Sequence, residues 1–340
     1  MNPQLQPLAT RWDTFMTKVR ARVAEIEGEA KAAYDEVIAT EVVDGTALSG
    51  VSSAIKSRLL ALRAKVDDSW NVIDAEADKL DVPAKELGLF RAQQRALGNA
   101  LAREVDRRTE EMIVRGEAAA ARALLALAER ERGAKVPCAQ CGAELVSDAW
   151  FDSINLTCPH CHAVTTAYPG TAAMTFFRGS GAIQLAREAA WPAWVAMQDA
   201  EAAWHKLRHR TLDDLARWEQ ANVAYWRAYG EAMARVHPAW NEQRVADEVR
   251  GKMSWFYETT SKDDRTVRET NQAGLAAVAA GDAAAVKAWA GKQRDARSAC
   301  EDLLQAVLER GWNDHARWLA QVAGISAEDL ADAVYWQSTR

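Results

Sequence analysis

Apolar residues recur at helical spacing along most of the chain. The first pattern places them at two alternating positions of a seven-residue repeat: Trp12, Met16, Val19, Val23, Ile26, Ala30, Ala33 and Val37. Polar and charged residues occupy the positions between them. A repeat of this kind sustained over about 30 residues predicts a long helix packed against a partner helix.

Two further helical patterns follow the first. One runs from Ile55 to Leu80, and the next runs from Pro83 to Arg132. At a rise of 1.5 Å per residue the latter would form a rod of roughly 75 Å, which is unusually long for a globular protein. We therefore expect either a coiled-coil arm or a helix bent near Gly98 or Gly116.

The helical pattern stops after residue 133 and resumes near Gly181. Between them the composition shifts to Pro, Gly, Thr, Asn and strand-forming residues. The sequence therefore predicts an all-α fold, in which long helices form a bundle or a coiled-coil-like body around a small β insert. We expect three regions: an N-terminal long-helix or coiled-coil region over 1–133, the insert over 134–170, and a Trp-rich helical domain over 171–340.

Composition narrows the class of protein. Only 18 Gly and 8 Pro occur in 340 residues, which excludes a collagen-like chain and most turn-rich β architectures. Hydrophobic residues make up 49% of the chain, so a large core can form. The 14 Trp residues mostly keep helical spacing with other apolar residues, which is typical of core positions.

Net charge and the termini bear on partners and location. The formal charge is −6, so the chain as a whole repels nucleic acid and anionic membranes. No apolar run is long enough to span a bilayer, and the N-terminus lacks the pattern of a secretory signal. We predict a cytoplasmic protein without a transmembrane segment.

The insert contains two C-x-x-C pairs, Cys138/Cys141 and Cys158/Cys161, with sixteen residues between them. Each pair can supply two thiolates from one tight turn, and this spacing fits tetrahedral Zn²⁺. A rubredoxin-like iron site and a dithiol redox pair are alternatives, although the redox pair would leave the second C-x-x-C unexplained. Four thiolates leave no open position for a catalytic water, which favours a structural metal.

The segments CAQCG and CPHCH, with a hairpin-sized spacer, resemble the zinc-ribbon family. The resemblance covers residues 135–170 and implies a zinc-held β-hairpin with Cys138, Cys141, Cys158 and Cys161 as ligands. It implies no particular activity. His160 and His162 flank Cys161 and could compete as ligands, but exposed positions beside the metal are the favoured interpretation.

Trp150 and Phe151 lie midway between the two C-x-x-C pairs, where the hairpin tip is expected. Aromatic side chains at an exposed tip would be candidate anchors for a protein partner. Packing against the chain's own helices is the alternative. Lys135 is the only Lys or Arg between residues 134 and 170, so the charge of the insert argues against a nucleic-acid partner.

Outside the insert, Glu201, His205 and His209 are spaced four residues apart and would share one face of a helix. Such a row can hold a metal, but it lacks the intervening Glu of the H-E-x-x-H enzymes and has basic neighbours. A salt-bridged surface is the favoured interpretation. No phosphate-binding loop, dinucleotide fingerprint or nucleophile elbow occurs.

The sequence thus favours a non-catalytic, zinc-stabilised helical scaffold or adaptor that mediates protein–protein interaction or self-assembly, with a homo-oligomer as one form. Two alternatives stay open. One is a nucleic-acid-associated zinc-ribbon factor that uses basic helix faces with Arg103, Arg107, Arg108 and Arg115. The other is a metalloenzyme built on Glu201, His205 and His209.

Overall fold

A computed structural model describes residues 2–40, 45–260 and 265–338. It is 76% helical, with thirteen helices and two small antiparallel hairpins in the described residues, which confirms the all-α class with a small β insert. The helices are α1 Gln6–Ile38, α2 Gly45–Ala77, α3 Ala84–Glu131, α4 Thr171–Arg178, α5 Gly181–Ala189, α6 Trp191–Lys206, α7 Leu212–Val236, α8 Glu242–Thr260, α9 Arg265–Ala279, α10 Ala283–Ala290, α11 Ala296–Glu309, α12 Asn313–Ala323 and α13 Ala327–Ser338. The strands are β1 Lys135–Pro137, β2 Glu144–Val146, β3 Ile154–Thr157 and β4 Val164–Ala167.

Helices α1, α2 and α3 pack against one another around a single apolar core. Trp12 lies at its centre, fully buried, and its ring contacts Phe15 and Trp70. The indole N–H of Trp12 donates a 3.0 Å hydrogen bond to the backbone carbonyl of Gln94 on α3. The Trp12 indole therefore has its apolar faces packed against other side chains and its N–H group hydrogen-bonded.

The predicted seven-residue pattern holds for most of α1 and then shifts by one residue. The side chains from Trp12 to Ala30 are buried as expected, but Tyr34 is buried next, while Ala33 and Val37 are only half-buried. A straight α-helix has 3.6 residues per turn, so a strict 3.5-residue pattern drifts around the helix over several turns. The helix therefore behaves as part of a globular bundle at this end.

Helix α3 runs for 48 residues, about 72 Å, without a break at Gly98 or Gly116. These two glycines serve close packing with α1. A Cβ at Gly98 would lie 2.8 Å from Cζ2 of Trp12, and a Cβ at Gly116 would overlap the ring of Tyr34. Both glycines are accounted for by aromatic rings placed against the helix, and the choice between a coiled-coil arm and a bent helix stays a prediction.

Alanine at Gly116 is expected to destabilise the protein by about 1–3 kcal/mol, since the buried Tyr34 ring would have to move. Alanine at Gly28 is the matched control: Gly28 is also inside a helix, but open space surrounds it. There the same change should stabilise the protein by about 0.5–1 kcal/mol through helix propensity. Urea denaturation of both variants tests the contrast, and equal shifts would contradict it.

Helix α3 lies before the insert and also contacts helices that follow it. Its second half packs against α4 and α5, which in turn contact α7. Helices α6 and α8 both pack on α7. The division of the chain at residues 133 and 170 stays a prediction.

The last helices form a second apolar core, and α13 returns to the start of α3. The ammonium of Lys85 on α3 lies 5.4 Å from the ring centroid of Tyr335 on α13. Asp282 caps α10 and Asp295 caps α11, since each aspartate accepts hydrogen bonds from backbone N–H groups of the helix that follows.

None of the described helices combines the length and apolarity that a membrane span requires.

Candidate metal centre

The insert consists of two separate antiparallel hairpins, β1–β2 and β3–β4, and each C-x-x-C pair forms the turn of one hairpin. A single zinc-held hairpin with its tip between the pairs was expected, and that expectation is wrong. The physical reason is local: a C-x-x-C turn reverses the chain by itself, so two such turns produce two hairpins. Residues 147–153 are the connection between them.

The two turns have the same backbone geometry. In the first, the N–H of Cys138 donates to the carbonyl of Ala143 at 2.8 Å, and in the second, the N–H of Cys158 donates to that of Ala163 at 2.9 Å. The residue after the second cysteine of each pair has a positive φ: Gly142 at 73° and His162 at 60°. The turns therefore differ in sequence but present their thiols in the same way.

The four thiols converge on one point. All four Sγ atoms lie within 4.8 Å of one another. The Sγ atoms of Cys138 and Cys161 are 3.6 Å apart, as are those of Cys141 and Cys158, so each close pair joins one hairpin to the other. Zinc–sulfur bonds of about 2.3 Å in a tetrahedron place sulfur atoms about 3.8 Å apart, which these distances match. The four cysteines could hold a metal ion.

The backbone around the turns prepares two of the thiols for ionisation. Hydrogen bonds from the backbone of Cys141 and Gln140 lower the pKa of Cys138 to about 6. The backbone of Cys161 and His160 likewise lowers the pKa of Cys158. Metals bind thiolates rather than thiols, so these N–H groups favour the form that a metal requires.

The pKa of Cys161 is shifted in the opposite direction. The backbone N–H of Ala163 favours the thiolate of Cys161, but burial and the neighbouring thiols outweigh it and raise the pKa of Cys161 to about 12. Several thiolates cannot lie this close together without a cation to balance them. A divalent metal bound among the four sulfur atoms would balance this negative charge.

His160 and His162 are both exposed, and neither belongs to the cluster that the four cysteines form. Cys158 and Cys138 are buried, whereas Cys161 is half-buried and Cys141 is exposed. The cluster thus lies near the surface with one side covered by the hairpins. The other cysteine, Cys300, is buried on α11.

Trp150 and Phe151 lie in the connection between the hairpins and not at a hairpin tip, because the chain reverses at the cysteines. Both rings are half-buried against α4: their centroids lie 5.3 Å and 5.6 Å from that of Phe177. Phe151 also lies 4.9 Å from the ring of His237, after α7. The packing is the intramolecular alternative that the sequence left open, and a protein-binding role for these residues stays a prediction.

Glu201, His205 and His209 do not form a row on one helix face. Helix α6 ends at Lys206, so His209 lies in the connection to α7. Its Nδ1 lies 3.3 Å from Oε2 of Glu309 on α11, while His205 and Glu201 remain 3.9 Å apart on α6. The predicted row on one helix face is wrong because helix α6 ends before His209.

The connection between α6 and α7 is held instead by a buried ionic network that sequence analysis missed. Asp214 accepts hydrogen bonds from the backbone and hydroxyl of Thr211 and from the guanidinium of Arg310 at 2.6 Å. Arg310 also donates to the carbonyl of His209. The Thr211-x-x-Asp214 spacing is a capping-box pattern that could have been recognised. The contact with Arg310 could not, because the two residues are far apart in the chain.

Glu309 makes the stability of this network depend on pH. Burial raises its pKa, but hydrogen bonds from the side chain and backbone of His209 outweigh burial and hold the pKa below the ordinary 4.5. A carboxylate with a lowered pKa stabilises the folded state above that ordinary value, and the contribution is lost as pH falls through the folded pKa.

We expect Glu309→Gln to cost about 1–3 kcal/mol at pH 7, since it removes a charge from hydrogen bonds in a buried site. The difference from wild type should shrink as the pH falls below 4.5. Urea denaturation from pH 7 to pH 3 measures it, with Glu301→Gln on the exposed face of α11 as the control. A difference that is the same at every pH would contradict the assignment.

Most of the arginines proposed as a basic face are paired with carboxylates. Arg107 contacts Asp199 on α6, and Arg115 contacts Glu111 one turn earlier on α3. Arg108 is placed between Glu27 and Glu104. These pairs neutralise the charge that phosphate binding requires, so they give the nucleic-acid alternative no support.

In comparisons with protein families, curated proteins and solved structures, the chain matches none of them.

Proposed function

We propose that this chain is a non-catalytic helical scaffold or adaptor, stabilised by a structural zinc ion and acting through protein–protein contacts or self-assembly. The observation that carries the proposal is the cluster of four thiols in the segment joining α3 to α4. Four thiolates complete a tetrahedral shell and leave no site for a catalytic water. Cys138, Cys141, Cys158 and Cys161 would be the ligands.

Two features support zinc in a structural role. The hairpins have strands of only three and four residues, and their own core contains only Cys138, Leu145 and Cys158 as buried side chains. Hairpins of this size are marginal without a further restraint. A tetrahedral set of thiolates suits zinc or iron, and the likeness of the two C-x-x-C turns to zinc ribbons favours zinc.

The insert would transmit this stability to the helices. Trp150 and Phe151 pack against Phe177 of α4, and the guanidinium of Arg132, just after α3, lies 5.4 Å from the ring of Trp150. The carboxylate of Glu131 accepts a hydrogen bond from the backbone of Ala172 at the start of α4. With its metal bound, the insert would fix the orientation of α4 relative to α3.

A scaffold also needs a surface for partners. The hairpins expose the apolar side chains of Val146, Val164 and Tyr168, and Trp150 and Phe151 remain partly accessible beside them in sequence. Exposed apolar groups on a small rigid module are typical of protein-contact sites. In this proposal, the insert binds the partner.

Affinity capture from cells of the source organism, with sedimentation velocity on the purified full chain, tests the function. We expect a defined partner or a defined oligomer for wild type, and its loss in Trp150→Ala/Phe151→Ala or in Val146→Ser/Tyr168→Ser. Cys300→Ala, which changes a buried cysteine on α11, is the control and should behave as wild type. A monomer that captures nothing beyond an unrelated bait would overturn the proposal.

A further inference from the structure

A groove over helix α7 contains a concentration of aromatic rings that the proposed function does not use. Helices α6 and α8 pack on α7, and a cavity of about 1020 Å³ lies among the three helices. Its rings are Trp204 from α6, Trp218 and Trp226 from α7, and Trp255 and Phe256 from α8. Sites for small ligands usually have this form: a concave, largely aromatic space with a few polar groups.

The chain places two of its own cations against these rings. The guanidinium of Arg210 lies 4.8 Å from the ring of Trp204, and the ammonium of Lys252 lies 4.7 Å from the ring of Trp226. The face of an indole is electron-rich and attracts cations within about 6 Å. The groove therefore already contains two cation–ring contacts.

Among the described residues, one ring in the groove has no cation against it, and one carboxylate has no Lys or Arg partner. Trp255 is 68% exposed, and no cation or aromatic ring is placed against it. Glu248 is balanced by Lys252 at 3.6 Å. Glu201 accepts a 3.3 Å hydrogen bond from the neutral amide of Gln198, and its ionisable partner is His205, at 3.9 Å. An imidazole balances a carboxylate only when it is protonated. Glu201 and Trp255 line the groove from the α6 and α8 sides.

We propose that this groove binds an organic cation that carries an alkylated ammonium group. Trp255 would supply an open ring face, and Glu201 would supply the opposite charge. An anion would have to compete for two cations that are already engaged. Lys252 pairs with Glu248, and the Arg210 guanidinium lies against the Trp204 ring and donates to the backbone carbonyls of Trp204 and Leu207. A neutral apolar ligand would remove water from Glu201 and leave its charge with only the amide of Gln198 and the imidazole of His205. Recognition of alkylated ammonium groups by aromatic rings is the best-known use of this interaction.

The proposal can be tested with choline and with 3,3-dimethylbutan-1-ol, which has the same shape without the charge. Each is titrated into the full-length protein and followed by tryptophan fluorescence and calorimetry. We expect choline to bind at least about tenfold more tightly than the alcohol. Equal affinity of the two compounds, or no binding of choline, would overturn the proposal.

Two variants separate the charge from the ring. Glu201→Gln should weaken choline about tenfold and leave the alcohol unchanged, whereas Trp255→Ala should weaken both. Glu231→Gln, on the exposed face of α7, and Leu60→Ala, an exposed apolar side chain on α2, are the controls and should change neither. Near-ultraviolet circular dichroism confirms that each variant is folded. Unchanged choline binding in Glu201→Gln would contradict the assignment.

The source of the ammonium group is settled by a third probe. A short peptide carrying Nε-trimethyllysine is compared with the same peptide carrying glutamine at that position. If the modified peptide binds at least tenfold more tightly than choline, the natural ligand is a protein side chain. If choline binds as well or better, the ligand is a free small molecule. Both results require the glutamine peptide to bind more weakly, and equal binding of the two peptides contradicts a side-chain ligand.

Discussion

Serine at Cys158 is expected to abolish metal binding and to unfold the insert at temperatures where the helices remain folded. Cys158 is fully buried, and its Sγ lies 3.6 Å from that of Cys141 on the other hairpin. Structural zinc contributes about 10–16 kcal/mol to the folding of isolated zinc-finger peptides at neutral pH. The hairpins have too little apolar core to replace that contribution.

Metal analysis and thermal unfolding measure the effect together. Wild type should contain one zinc equivalent per chain and Cys158→Ser none, and a strong chelator should reproduce the behaviour of the variant. Cys300→Ala is the matched control, because it removes a buried cysteine outside the cluster and should retain the metal. A Cys158→Ser protein that keeps both its metal and its unfolding curve would refute the site. Iron in place of zinc would refute the assignment of the ion alone.

Alanine at Asp214 is expected to cost about 3–5 kcal/mol of folding free energy. The Asp214 side chain is 3% exposed and that of Arg310 is 12% exposed, so removing the carboxylate leaves a buried guanidinium without its counter-charge. The same change removes half of the capping box of α7, because the Asp214 carboxylate accepts hydrogen bonds from the backbone N–H and the hydroxyl of Thr211. Urea denaturation followed by circular dichroism gives the change.

Arg217 provides the control for this network. It also contacts Asp214, but its side chain is 68% exposed, so Arg217→Ala should cost less than about 1 kcal/mol. The double change Asp214→Leu/Arg310→Met should recover part of the loss, since it leaves no unpaired buried charge. A single Asp214→Ala variant within 1 kcal/mol of wild type would show that the network contributes little.

Local periodicity was sufficient to predict the long helices. The spacing of apolar residues from Trp12 to Ala30 identified the buried face of α1, and the same reasoning located α2 and α3. The shift to Tyr34 could not be predicted from the repeat. It depends on the space left at Gly116, which lies on a different helix.

The candidate metal centre was predicted in its residues and not in its surroundings. The C-x-x-C spacing identified the four cysteines that the fold brings together. The positions of Trp150 and Phe151 were misjudged, because the spacing does not reveal where the chain reverses. The apolar side chain that they pack against, Phe177, belongs to the helix after the insert.

The sequence by itself determined the long helices α1, α2 and α3 and the set of cysteines, since both depend on residues that are close along the chain. Only the tertiary structure decided where α6 ends, how His209 meets Glu309, and which rings share the groove over α7. These contacts join residues that are far apart in the chain, and their energies depend on burial. Burial is a property of the whole fold, and no local pattern of residues specifies it.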